Sequence, residues 1–161
     1  MKNKYLIRFI IGILAQGLSL SQMINFNNKT NFKTPFFTIE KKKYIKPFQE
    51  NKDTLRNYQN VLYYDNFFAL AYLLTYRSLY FILEKELENM KLIPFYRIII
   101  PLQSVLDWSE NSILYSQIEN YLKNGKIKNI ISFFVISSSK WLLAGFNFIL
   151  YYFAISKLIK K

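Results

Sequence analysis

A chain of 161 residues that is 52% hydrophobic and 19% aromatic, with 15 Phe and 13 Tyr, carries more apolar surface than an ordinary soluble domain of its length hides. Its net charge of +12 raises the question of nucleic acid, but the longest basic stretch, Lys29 to Arg56, adjoins no zinc-finger, helix-turn-helix or RNP pattern, so no nucleic-acid partner is expected. The absence of Cys and His removes disulfides, thiolate nucleophiles, Cys/His zinc sites and the usual neutral-pH proton shuttle.

A mean hydropathy of only +0.04 conceals a segregation, because Lys and Asn gather in connections between long apolar runs. A hydrocarbon core about 30 Å thick needs about 20 helical residues, and four runs approach that length. The first, about 5–22, follows Lys2 and Lys4 and carries Arg8 and Gln16. It reads as a short first span or as a secretory signal, with Ser19 and Ser21 before Gln22 as an acceptable cleavage pattern. Arg8 can snorkel to an interface under either reading. The connection about 25–59 then brings the Lys41-Lys42-Lys43 run, Pro35 and Pro47, and reads as an extramembrane loop.

The second run, about 63–83, holds Phe67, Leu70, Leu74 and Phe81, interrupted by Asp65 and Arg77. Its tyrosines at 63, 64, 72, 76 and 80 suit interfaces or a helix bundle, since each hydroxyl wants a partner. The third, about 93–116, begins with Phe95 and Ile98 to Ile100, then meets Pro101 and the polar segment Asp107-Trp108-Ser109-Glu110-Asn111. It is the weakest by hydropathy, and a soluble amphipathic helix competes with a span there. The fourth, about 130–155, is the strongest, broken only by Lys140 and small polar residues, and Lys157, Lys160 and Lys161 follow it as a basic anchor. Short connections around 84–91 and 119–128, the latter with Gly125 as a turn, imply antiparallel neighbours. The predicted fold is therefore all-α: a multi-pass integral membrane helical bundle of four spans, or three if the N-terminal segment is a cleaved signal. Lys and Arg are nearly balanced between the two sides, so orientation stays open.

Asp107, Glu110 and Asn111 stand at i, i+3 and i+4 and share one helical face. An unpaired charge at mid-membrane costs from about 2.5 kcal/mol upward, so these carboxylates need a partner or a cavity. If the last hairpin turns near Lys123 and Asn124, Asp107 and Lys140 each lie about sixteen residues from the turn and reach similar depth. The same counting across the preceding connection sets Asp65 level with Glu110. A layer of Asp65, Asp107, Glu110, Asn111 and Lys140 is predicted. It serves either as a lock between helices or as a proton or ion pathway in which neighbouring carboxylates share a proton. A catalytic reading would need a metal bridged by Asp107 and Glu110 or an acid-base pair acting on a lipid, and Asp-x-x-Glu is too common to support it. No catalytic residue, metal site or cofactor is assigned.

Arg56 and Tyr58 before a span, Asp65 and Tyr72 within it, Pro101 ahead of Asp107-x-x-Glu110-Asn111, and the Lys140-Trp141 pair together resemble a family of small four-span membrane proteins, most of them without an assigned function. The similarity covers roughly Arg56 to the end. The Lys-rich first connection departs from it, lacking a glycine-containing approach to the second span. The resemblance implies four membrane helices with an extramembrane loop after the first, and brings no reaction or ligand with it. The expected function is a non-enzymatic structural, accessory or assembly subunit of a membrane complex, with the lipid bilayer and other membrane subunits or copies of itself as partners. The alternative is a small ion- or proton-coupled transporter acting as an oligomer. A soluble secreted basic protein is the third class. Which cellular membrane is involved stays open.

Overall fold

The computed structural model describes residues 2–29, 40–49, 52–128 and 130–159. Lys33 and Pro35 of the first connection and the terminal Lys160 and Lys161 lie outside the described residues. Among the described residues the secondary structure is entirely helical: α1 (Lys2–Asn27), α2 (Lys41–Ile45), a 3-10 turn (Lys46–Gln49), α3 (Lys52–Ile82), α4 (Glu84–Asn89), α5 (Ile93–Asn124) and α6 (Ile130–Ile159). The all-α expectation stands. Two of these helices, α1 over Asn3–Asn27 and α6 over Ile130–Ser156, are long and apolar enough to cross a membrane.

The long helices outrun the apolar runs that announced them. Helix α3 starts at Lys52, eleven residues before the expected span, because Asn57, Gln59 and Asn60 interrupt the hydropathy but not the backbone hydrogen bonding. Asp53 in its first turn complements the helix dipole. Helix α5 tolerates Pro94 in its first turn, where a missing N–H costs nothing, and carries Pro101 in its interior. It ends on Gly125, left-handed at φ 63°, whose N–H reaches the Tyr121 carbonyl at 2.8 Å.

Pairwise contacts fix an antiparallel arrangement. Helix α1 packs on α3, with Tyr5 stacked on Phe81 at 4.5 Å near one end and Phe26 on Tyr64 at 5.6 Å near the other. Gly12 makes this approach possible: a Cβ there would come within 2.3 Å of Thr75 Oγ1 and 3.2 Å of the Ala71 carbonyl oxygen. Helix α5 packs on α3 on one side and α6 on the other. The result is an open succession α1–α3–α5–α6, in which the two apolar helices flank the two more polar ones.

Both ends are closed. At one, Leu83, Leu87, Tyr96, Leu150 and Tyr151 form a buried cluster that includes α4, with Tyr151 stacked on Tyr76 at 5.4 Å and donating to the Tyr76 carbonyl oxygen at 2.9 Å. At the other, Tyr44 and Phe48 are fully buried against Leu55, Ile118 and Phe133. Residues 40–49 of the 25–59 connection thus form a plug on the bundle. Tyr44 and Phe48 stand at i, i+4 inside a lysine-rich stretch, and their hydrophobic burial draws the backbone of α2 onto the helix ends.

Candidate functional site

Three helices contribute to one polar layer. Lys140 on α6 points between two carboxylates of α5: its Nζ lies 2.7 Å from Asp107 Oδ1 and also pairs with Glu110 Oε2. All three side chains are nearly withdrawn from solvent, which follows from the i, i+3 spacing that turns both acids toward α6. The Tyr72 hydroxyl on α3 donates to Asp107 Oδ2 at 3.2 Å, so Asp107 is held from two helices at once. On the next step of α5, Asn111 Nδ2 donates to Asn66 Oδ1 at 3.1 Å and Trp108 Nε1 donates to the Asn66 carbonyl oxygen at 3.2 Å.

Of the residues expected to form the layer, Asp107, Glu110 and Lys140 are brought into direct contact. Asp65 is not part of that ion pair; it lies on α3 beside Asn111, in the lining of the same cavity. This cavity has a volume of about 530 Å³ and is walled by α1, α3, α5 and α6. Helices α1 and α6 both line it without packing closely on one another. The lining runs along α1 from Gln16 to Asn27, about 16 Å of helix toward the plugged end. Lys140 Nζ also sits 5.3 Å from the centre of the Trp141 ring. Glu110 Oε1 lacks a hydrogen-bond partner although Glu110 is only 2% exposed.

The chain matches no family model, no curated protein and no solved structure. Its polar geometry is the ground on which function must be argued.

Several polar contacts escaped the sequence reading because each depends on a neighbour far along the chain. Gln16 Nε2 donates to Thr75 Oγ1 at 2.6 Å, tying α1 to α3. Asn147 Nδ2 donates to Gln103 Oε1 between α6 and α5, one layer away from Lys140. Gln117 accepts from the Tyr44 hydroxyl and donates to the Lys128 carbonyl oxygen at 2.8 Å, joining α2, α5 and the last connection. The only signal for these in the sequence is an amide recurring inside a long apolar run. Outside the apolar segments, Glu119 accepts from Gln59 at 2.9 Å and pairs with Lys123 at 3.1 Å, and these contacts hold its exposed carboxyl below the usual range. Burial among apolar side chains pushes the Tyr44 hydroxyl well above the ordinary phenol value, and the negative charge of Glu110 adds to the shift.

Chemically, the layer presents one ammonium held between two carboxylates, with a tyrosine hydroxyl on one of them. Among the described residues no three His, Cys, Asp or Glu side chains group as a metal set.

Proposed function

We propose that this chain is a multi-pass integral membrane bundle, with all four long helices crossing the bilayer, and that it serves as a non-enzymatic structural, accessory or assembly subunit of a membrane complex. The observation that carries this reading is the Lys140 ion pair. One ammonium bridges two carboxylates of α5 and Tyr72 of α3 holds the second Asp107 oxygen, which suits a device that fixes α3, α5 and α6 in one register. Two further features support it. Helices α1 and α3 are in contact near both ends, which supports a common depth for the two. The outward faces of α1 and α6 carry large apolar side chains such as Leu18, Leu142 and Phe148, each more than two-thirds exposed in the isolated chain, which lipid or neighbouring subunits would cover.

The test is to substitute Asp107→Asn, Glu110→Gln and Lys140→Met separately, then follow protein level and the proteins that co-purify. Loss of either is the expected result. A second reading, a small ion- or proton-coupled transporter working as an oligomer, is favoured by the cavity and the unpartnered Glu110 oxygen. Normal assembly with lost pH-dependent flux in proteoliposomes would select it over the first.

A further inference from the structure

The ion pair leaves the cavity's charge unbalanced. Its lining contains three carboxylates, Asp65, Asp107 and Glu110, and one ammonium, that of Lys140. Lys140 engages Asp107 Oδ1 and Glu110 Oε2, and Tyr72 engages Asp107 Oδ2. Glu110 Oε1 is left buried and unpartnered, and Asp65 stands opposite on α3 in the same lining. A carboxylate oxygen with no donor inside a helical bundle is costly, and a positively charged donor in the cavity removes that cost.

Two features narrow the chemistry of such a donor. Four aromatic side chains, Tyr58, Phe68, Tyr76 and Trp141, share the remaining wall with aliphatic ones. A hard metal ion gains from oxygen ligands alone, whereas an ammonium gains from carboxylates through charge-assisted hydrogen bonds and from ring faces through cation–π attraction. Lys140 already shows the second contact with Trp141. The way in lies between α1 and α6, which share the cavity without closing on each other, and the half-exposed Trp141 and Leu20 stand there.

We propose that this cavity binds an ammonium group, borne by a lipid headgroup or a free amine, with Glu110 Oε1 and Asp65 as acceptors and Trp141 at the mouth. The site rests on the membrane-bundle reading for its lipid source but not for its chemistry.

The chain has two tryptophans, and Trp108 lies outside the lining, so Trp108→Phe leaves Trp141 as the sole tryptophan, read by excitation beyond the tyrosine band. In detergent, ethanolamine and methylamine are titrated against sodium chloride at equal ionic strength. In nanodiscs, phosphatidylethanolamine is titrated into phosphatidylglycerol. A saturable change in Trp141 emission is expected. Saturation by the soluble amines identifies a free amine as the ligand source, and a response confined to phosphatidylethanolamine discs identifies the headgroup. Asp65→Asn, which leaves the Lys140 ion pair intact, should weaken the midpoint roughly tenfold without lowering the melting temperature. Glu110→Gln should do the same where it folds. The proposal is overturned by no saturable change with any probe, by an equal response to sodium chloride, by a midpoint unmoved in Asp65→Asn, or by a response to pH alone. Failure here is distinguishable from failure of the membrane reading, because retention of the chain in alkali-washed membranes is measured separately.

Discussion

Lys140 joins α6 to α5, and through Asp107 and Tyr72 to α3, so its removal leaves two carboxylates buried without a cation. Breaking a buried pair from one side costs about 3–5 kcal/mol, while removing the charges together is often near neutral. Lys140→Met alone is therefore expected to lower the thermal midpoint of the detergent-extracted protein sharply. The triple variant Lys140→Met, Asp107→Asn, Glu110→Gln should recover most of it, and a mild single variant or an equally damaged triple would remove the lock from the layer. Tyr44 offers a pH test outside the apolar segments. Burial raises its folded-state pKa above the unfolded value of about 10, so its contribution is complete below pH 10. Above that, the unfolded chain gives up the proton first and stability falls by about 1.4 kcal/mol per pH unit. Tyr44→Phe should melt lower than the parent at neutral pH, having lost the bond to Gln117, yet show a flatter decline above pH 10. Parallel curves for the two proteins would contradict this. At this scale the Asp107, Glu110 and Lys140 contact was legible, because helical spacing and depth are properties of the sequence. Tyr72, Asn66 and Gln117 were not, because a lateral partner depends on helix rotation and neighbour order, which no local pattern encodes.

Helices pair along faces, and the α1–α3 face turns on Gly12. Even Ala at this position would bring its Cβ against Thr75 Oγ1 and, at 3.2 Å, against the Ala71 carbonyl oxygen, whose backbone cannot simply rotate away. Overpacking of this kind costs about 1–3 kcal/mol. A chain without cysteine allows a clean measurement: Tyr5→Cys with Phe81→Cys, and Phe26→Cys with Tyr64→Cys, should each cross-link within one molecule. Adding Gly12→Leu should reduce the yield of both, and unchanged yields would show that α1 does not depend on this contact. The first pair also bears on the N-terminal segment, since a cleaved signal would leave no Tyr5→Cys to cross-link. The four long helices were legible as apolar runs of sufficient length. Their true extents were not, because the first turns of α3 and the last turns of α5 are polar at positions 53–60 and 119–124, where hydropathy falls while helical hydrogen bonding continues. The α2 plug was hidden for a related reason: its two buried aromatics sit among four lysines and a proline whose average reads as solvent-facing.

For the whole molecule, hydropathy and packing point to different counts of membrane crossings. Length and composition single out α1 and α6, whereas on the proposed four-span reading the antiparallel succession α1–α3–α5–α6 takes α3 and α5 through the same slab. The discrepancy has a physical source: α3 and α5 direct Tyr72, Gln103, Asp107, Glu110 and Asn111 into the bundle, where they are buried, so their average polarity misstates the surface a lipid would meet. The two counts place the connections differently. With four crossings, Lys43 and Lys126 share one side of the membrane and Glu88, between α3 and α5, lies on the other. With crossings by α1 and α6 alone, all three share a side. Lys43, Glu88 and Lys126 are exposed, so Lys43→Cys, Glu88→Cys and Lys126→Cys can each be probed in sealed vesicles with a membrane-impermeant maleimide. The four-helix bundle predicts that Lys43→Cys and Lys126→Cys label alike and Glu88→Cys oppositely, with the chain staying in the pellet after alkaline washing. Labelling of all three from one side would reduce the crossings to two, and release of the chain by the wash would remove it from the integral membrane class.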